Sequence, residues 1–252
     1  MTVDLATGKH IPKDPNKFVF DEEVAPIFDN MAARSLPLYG YAYEVIREVC
    51  RSMDFKPGDS VWDFGVSTGR GLIAAREGVN EPLVEYHGVD ISQPMIDVAS
   101  RKCPWALFTK RDFLEPGGFP SELITSCKVA IWGWTLQFLE DPSLRIELLR
   151  QSYENLQPGG VLFLMEKWSH TGTGVENSGP LPGILQTAYL RWRRDNAYSA
   201  HEIMSKSGAL KNSMWPWSRQ DALNALEQAG FDPKRTFGLY QMFNFGGVAA
   251  FK

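Results

Sequence analysis

Asp63-Phe64-Gly65-Val66-Ser67-Thr68-Gly69-Arg70-Gly71 follows the run Ser60-Val61-Trp62 and precedes Val89-Asp90, and the reading of the fold turns on this stretch. The run from Ser60 to Phe64 has the β-favouring character of a buried strand, and it enters a glycine-rich bend that opens a helix. Gly65 and Gly69 let the backbone approach a ligand closely. Asp90, at the tip of the next strand, is placed to accept both hydroxyl hydrogens of a ribose. The spacing G-x-x-x-G-x-G differs from the dinucleotide pattern G-x-G-x-x-G, whose second glycine clears room for a pyrophosphate. A nucleoside without phosphate therefore suits the loop; the rival reading is a tight turn whose glycines serve packing.

Outward from the loop, strand and helix patterns alternate. Residues 84–89, 106–109, 128–132 and 161–165 read as strands, and 94–101 and 143–156 as helices, the second ended by Pro158-Gly159-Gly160. Such alternation implies an α/β fold with a parallel sheet flanked by helices. Across 168–219 it stops, giving a Gly/Ser/Thr/Pro-rich stretch and helices over 184–195 and 199–210, a helical cap insertion. Ser218-Arg219-Gln220-Asp221 then marks a helix start, Gly230 its end, and 235–240 with 245–251 a closing hairpin. At the other end, residues 1–18 are polar, carry Pro12 and Pro15, and read as a flexible arm. Phe20, Val24, Ile27, Phe28 and Met31, then Tyr41, Val45, Ile46 and Val49, keep helical spacing and predict two lead-in helices. No repeat interrupts what reads as a single domain.

Composition narrows the function. With 252 residues, 44% of them hydrophobic, the chain can bury a full core without disulfides or metal. A net charge of −4 supplies no global positive field for a phosphate backbone, so nucleic acid is disfavoured as the main ligand. The apolar stretch Val161 to Met165 is far short of the ~18 residues that suggest a membrane span. The N-terminal stretch carries Asp4 and no apolar core, so the chain reads as neither spanning nor secreted. Cys50, Cys103 and Cys127 lack C-x-x-C spacing and fit a reducing cytoplasm. No His/Cys/Asp cluster has metal-ligand spacing.

The glycine loop with Asp90 resembles motif I of the class I S-adenosylmethionine (SAM) methyltransferases, in which Asp63 steadies the loop. Leu156-Gln157-Pro158-Gly159-Gly160 resembles the turn before their fifth strand. More specific still, Phe20-Asp21-Glu22-x-Val24-Ala25, Met31, Arg34-Ser35-x-Pro37-x-Tyr39, Thr135-Leu136-Gln137-Phe138-Leu139-Glu140, Glu166-Lys167 and Asn196-x-Tyr198-Ser199 resemble the carboxy-S-adenosylmethionine synthase family. That resemblance implies a Rossmann-like class I methyltransferase fold with a seven-stranded, mostly parallel sheet and helices on both faces. It also implies a homodimer, and a reaction that uses prephenate to convert SAM to its carboxylated sulfonium for tRNA wobble-uridine modification. By the same resemblance Tyr39 contacts the methionine end, Gly65, Val66, Ser67 and Gly69 supply the loop, and Asp90 with Ile91 meets the ribose. Asp112 with Phe113 meets the adenine, with a turn cap as the rival role for Asp112.

Two positions depart from that pattern: Gly133 stands where the family has asparagine, and Ser207 where it has an arginine on the new carboxylate. A partly desolvated carboxylate needs a charge-assisted partner, and serine offers one neutral donor. Arg34, Arg194, Tyr198 and Ser207 are the candidate substrate contacts, with Lys206 or Arg194 as replacement cation. The sequence thus predicts a SAM-dependent enzyme of small-molecule metabolism, by methyl or other group transfer at the sulfonium, with little carboxy-SAM made. Alternatives are carboxy-SAM synthesis, cyclisation of SAM with release of methylthioadenosine, and non-catalytic SAM binding.

A sulfonium loses its charge as it transfers carbon, so aromatic faces suit it. Trp132, Trp134 and Tyr39 are the candidates, at roughly 0.5–2 kcal/mol per cation–π contact, with core packing as the rival. Glu166, at the end of the fifth strand, is the candidate base or orienter, with a salt bridge as its rival. His170 and His201 read as solvated, and His10 and His87 carry no case. A dehydrogenase is rejected because no tyrosine has lysine four residues on, and an amino-methyltransferase because no Pro-Pro occurs.

Overall fold

The computed structural model describes residues 12, 14, 17–169 and 180–252. Most of the expected arm, with His10, and residues 170–179, with His170, lie outside the described residues. The strand–loop–helix unit forms as expected: β1 (Ser60–Phe64) is buried throughout and leads through the glycine loop into α3 (Arg70–Gly78). Then come β2 (Glu85–Asp90), α4 (Gln93–Lys102), β3 (Leu107–Lys110), β4 (Cys127–Gly133), α5 (Pro142–Asn155) and β5 (Leu156–Lys167). α6 (Leu181–Asp195) and α7 (Ala200–Lys211) are inserted before α8 (Arg219–Ala229) and the hairpin of β6 (Thr236–Met242) and β7 (Phe245–Phe251). Ahead of the sheet, a 3-10 turn at Ala25–Ile27 runs into α1 (Phe28–Ser35), followed by α2 (Tyr39–Ser52).

The sheet has seven strands in the order β3-β2-β1-β4-β5-β7-β6. Only β7 runs against its neighbours. This is the seven-stranded, mostly parallel sheet implied by the sequence. Its two faces bury alternate residues. Trp62, Phe64, Trp132, Leu162 and Leu164 pack with residues of α5 and α8, and Val61, Val129, Ile131, Phe163 and Met165 with residues of α2 and α3. A third cluster joins Phe18, Val24 and Met31 to Met95 and Val98 of α4 and Ala209 of α7, so the lead-in segment roofs the sheet edge.

Helix ends follow local chemistry. Ser199 and Ser218 each close a capping box, with Glu202 and Asp221, and Gly230 ends α8 in the left-handed region at φ 114°. β5 departs from expectation. Pro158-Gly159-Gly160 does not precede the strand but lies within it, because Leu156 already pairs with Cys127 and the register shifts before Val129 meets Val161. Gly159, at φ 74°, absorbs that irregularity.

Candidate functional site

A cavity of about 330 Å³ lies at the carboxyl ends of the parallel strands, the edge where open α/β sheets bind ligands. Its floor is the segment singled out in the sequence: Asp63, Gly65, Val66, Ser67, Asp90, Ile91, Asp112, Phe113 and Gly133 all line it, with Tyr39 and Trp134 on the side wall. Gly65 adopts φ 79°, and a Cβ there would lie 2.1 Å from the Thr135 hydroxyl oxygen, so glycine is required by conformation and by space. The N–H groups of Gly65 and Val66 donate to Val89 O at 2.7 and 2.9 Å, tying the loop to β2.

Asp90 is fixed by two backbone donors, Ser67 N–H to Oδ2 at 2.8 Å and Ser92 N–H to Oδ1 at 2.9 Å. Burial raises its pKa, opposed by the N–H groups of Ser92, Ser67 and Ile91. Each oxygen keeps a lone pair, enough for two ribose hydroxyls. Asp63 is buried, and burial first and Asp90 second push its carboxyl up to about 8, so a cation entering the cavity would restore its charge. Asp112 Oδ1 caps the turn by accepting Leu114 N–H at 2.9 Å, which is the rival role, and the residue also lines the cavity. Ile91 and Leu114 beside it are 54% and 63% exposed, apolar edges that a planar ring would cover.

The opposite wall is cationic. Lys167 from the tip of β5, Arg193 from α6 and Lys206 from α7 line the cavity together, and Arg193 and Lys206 are buried. Burial, then Arg193 and Arg34, push Lys206 down to about 7, against Glu202. Burial and Arg193 push Lys167 down to about 8. Tyr198 organises this wall: Lys206 Nζ donates to its hydroxyl at 2.6 Å, and Arg34, Arg193 and Lys206 stand 4.7, 4.6 and 4.5 Å from its ring centre. The Nε–H of Arg193 is buried with no partner among the described residues. Such clustered, desolvated cations favour an anion between them.

Several expected residues lie elsewhere. Trp132 is wholly buried on the α5 face, stacked 4.8 Å from Phe64, its indole N–H donating to Ser152 Oγ at 3.0 Å. Strand alternation would send Trp134 the same way, but β4 ends at Gly133 and Trp134 turns at φ 55°, which brings its ring to Tyr39 at 5.4 Å. Glu166 is also wholly buried and off the cavity lining, beside the backbone N–H groups of Leu136 and Gln137. Burial pushes it up to about 8 against the pull of Arg145 and of the N–H groups of Leu136 and Gln137, so the expected base is a buried acid away from the ligand space. Gly69 packs against α4, where a Cβ would come 2.9 Å from Cys103 Sγ, and does not line the cavity.

Arg194 is exposed and off the cavity, and Arg193 takes the place expected for it. Ser207 donates to Ile203 O of its own helix at 2.7 Å and faces no ligand space. Arg34 and Tyr198 stand behind the lining, as support. Sequence reading missed Arg193, Lys167 and the roof residues Phe18, Phe20 and Phe28. One signal for Arg193 was available: it sits four residues after Tyr189, and these two are the buried pair of α6.

No protein-family model matches the chain. Solved structures with the same fold include PigF with SAH, at TM-score 0.56 and 17% identity over 91% of this chain and 58% of that one. The CurJ carbon methyltransferase aligns at TM-score 0.62 and 15% identity over 94% and 61%. Human N-acetylserotonin methyltransferase in complex with SAM aligns at 0.58 and 13% over 92% and 55%. The chain thus spans a little over half the length of these structures, and they establish the fold as that of the Rossmann-like class I methyltransferases. Curated relatives align end to end. A carboxy-S-adenosyl-L-methionine synthase of Desulfotalea psychrophila is 32% identical over 96% of this chain and 94% of its own. One of Pasteurella multocida is 32% identical over the whole of both chains, and one of Escherichia coli 32% identical over 93% and 91%. Likeness of this extent, carried by chains of matching length, makes the protein a member of the carboxy-S-adenosyl-L-methionine synthase family.

Proposed function

We propose that this chain is a SAM-dependent transferase that makes carboxy-SAM, with SAM lying on the acidic floor and an anionic co-substrate held by the cationic wall. The carrying observation is the pair Arg193 and Lys206 on the cavity lining. Ser207, which offers no charge to a new carboxylate, does not count against carboxy-SAM. That residue faces away, and a guanidinium with an unpartnered buried N–H stands nearby on α6 to meet a carboxylate. On the floor, Asp90 takes the ribose, Asp112 with Phe113 the adenine, and Asp63 the α-ammonium. Tyr39 and Trp134 give the sulfonium aromatic faces. Prephenate, the co-substrate implied by the family, suits the cationic wall.

A second reading is favoured by the aromatic wall. Tyr39, Tyr43 and Trp134 have ring centres within 5.1–5.9 Å of one another and line the cavity. With SAM held there and its α-ammonium deprotonated, the amine can attack Cγ of its own side chain, forming a C–N bond as the Cγ–S bond breaks, which would close a four-membered ring and release methylthioadenosine. Incubation of the protein with SAM, with and without prephenate, followed by mass spectrometry separates the two. Carboxy-SAM that requires prephenate supports the first reading, and methylthioadenosine above the spontaneous rate without prephenate supports the second.

The family resemblance implies a homodimer, and α6 and α7 offer a surface for it, with Leu181, Ile184 and Met204 at 44%, 59% and 74% exposure. Light scattering should then give twice the 28.4 kDa of one chain. Three buried free thiols fit a cytoplasmic setting. No helix among the described residues is long and apolar enough to cross a membrane.

A further inference from the structure

Asp29, in the first turn of α1, lies outside every segment that carries the family resemblance, yet it joins the roof of the cavity to its floor. Its Oδ1 accepts the Thr68 hydroxyl at 2.6 Å and the Tyr39 phenol at 3.3 Å, and its Oδ2 stands 2.5 Å from Lys102 Nζ. Thr68 is 1% exposed inside the glycine loop, Tyr39 opens α2 on the cavity wall, and Lys102 ends α4. Three elements that bound the site from below thus meet one carboxylate from above. An acid in a first turn already gains from the helix dipole when it faces water, so dipole stabilisation alone does not explain why this one is turned onto a buried hydroxyl.

The roof is fastened on either side as well. Ser92 Oγ donates to Phe20 O at 2.5 Å, and Tyr189 Oη donates to Ser35 O at 2.9 Å. Between those points Met31, Ala32, Ser35 and Leu36 cover the cavity. The adenine end keeps exposed edges at Ile91 and Leu114, whereas the end below α1, at Tyr39 and Trp134, is only 5% and 7% exposed. A ligand in place is closed in at its far end, and freeing α1 there means breaking the Asp29 contacts. Hydrogen bonds to a carboxylate are roughly twice as strong as neutral ones, which suits a fastening that must hold and then release.

We propose that Asp29 is a positioning residue that clasps α1 onto the glycine loop over the bound nucleoside, orients the Tyr39 ring, and sets how long the ligand stays. The proposal rests on the SAM reading of the cavity. Its test is stopped-flow dissociation of S-adenosylhomocysteine from the full chain and from Thr68→Val, Asp29→Ala, Asp29→Asn and Lys102→Met. Thr68→Val keeps the shape and removes the donor; it should speed release about tenfold, the lower end for a lost hydrogen bond to a charged group, with association changed less than threefold. KM for SAM should rise more than kcat falls. Asp29→Ala should match or exceed that effect, Asp29→Asn should restore part of it, and the Asp29→Ala/Thr68→Val pair should release no faster than the faster single variant. Lys102→Met, at a pair with side chains 38% and 32% exposed, should speed release about twofold to threefold. If Asp29→Ala does not fold, the Thr68 and Lys102 variants carry the test. Release within twofold of wild type in Thr68→Val overturns the clasp, as do effects that multiply in the double variant. Wild-type protein that does not bind S-adenosylhomocysteine overturns the reading of the cavity itself, and the clasp falls with it.

Discussion

The floor and the far wall of the cavity are built from opposite charges and held in opposite ways. On the floor, Asp90 and Asp112 are already paired with backbone N–H groups, Asp90 with its own turn and the glycine loop, Asp112 with its own turn. On the wall, Lys167, Arg193 and Lys206 come from β5 and two inserted helices; Arg193 and Lys206 are held through Tyr198, and Lys167 lies over the Phe245 ring. The floor is a finished surface whose remaining lone pairs await hydroxyls. The wall keeps buried like charges close together, a costly arrangement until an anion arrives. On the proposed reading, the difference teaches that nucleoside recognition is set by backbone geometry, while the choice of reaction partner lies with side chains of the wall.

That contrast can be broken from either side. Asp90→Ala should weaken S-adenosylhomocysteine binding by about 1.5–3 kcal/mol, the range for hydrogen bonds to a charged group, and leave the wall intact; calorimetry reads it. Next in size, Trp134→Leu should cost SAM roughly 0.5–2 kcal/mol and S-adenosylhomocysteine, which has no sulfonium, distinctly less. Trp132→Phe, on the other face of the sheet, should cost neither. Equal losses for the two ligands at Trp134 would remove the cation–π role.

The pH dependence should divide the same way. Lys206 is held down at about 7, so its charge is present below that pH and lost above it. The Michaelis constant for an anionic co-substrate should therefore rise several-fold between pH 7 and 9, while affinity for S-adenosylhomocysteine, read in parallel, should increase between pH 7 and 8 as Asp63, held up at about 8, gains its charge. For stability the sign is reversed. Between about 7 and the unfolded lysine value near 10.4 the unfolded chain binds the extra proton, so this group makes folding more favourable as pH rises.

The smallest effect on activity belongs to Glu166→Gln. Its carboxyl is raised to about 8, so the folded state keeps a proton that the unfolded state sheds above about 4.3. Wild-type stability is thus lost as pH climbs from 4 to 8, and the variant should gain in Tm over wild type by an amount that grows across that window. Ligand binding and turnover should change less than twofold. A large loss of turnover would return Glu166 to the catalytic site.

The floor was legible because its signals are local. A glycine loop, the acid at the next strand tip and the Asp112-Phe113 turn each lie within a few residues of a strand end, and their geometry follows from chain direction. Of the wall only Lys206 was legible, as a replacement cation; the rest was not, since it depends on which face of α6 and α7 packs inward. Arg191, Arg193 and Arg194 are chemically alike, and only the spacing of Arg193 from buried Tyr189 marks it out. Trp134 and Trp132 were both expected at the site, and only Trp134 lines the cavity. Their separation rests on a left-handed turn at a tryptophan, which residue preferences disfavour and tertiary packing imposes. The break expected at Pro158-Gly159-Gly160 failed for a related reason, because pairing with β4 carries β5 through it.

The central claim is that the insertion, through Arg193, grips the anion while the floor holds the nucleoside. The most direct measurement is the initial rate of carboxy-SAM formation as a function of prephenate concentration in wild type and Arg193→Met, with S-adenosylhomocysteine affinity measured on the same preparations. The account predicts that kcat/KM for prephenate falls about a hundredfold in the variant, equivalent to about 2.7 kcal/mol, while S-adenosylhomocysteine binds within threefold of wild type. Equal kcat/KM values for the two proteins would contradict it.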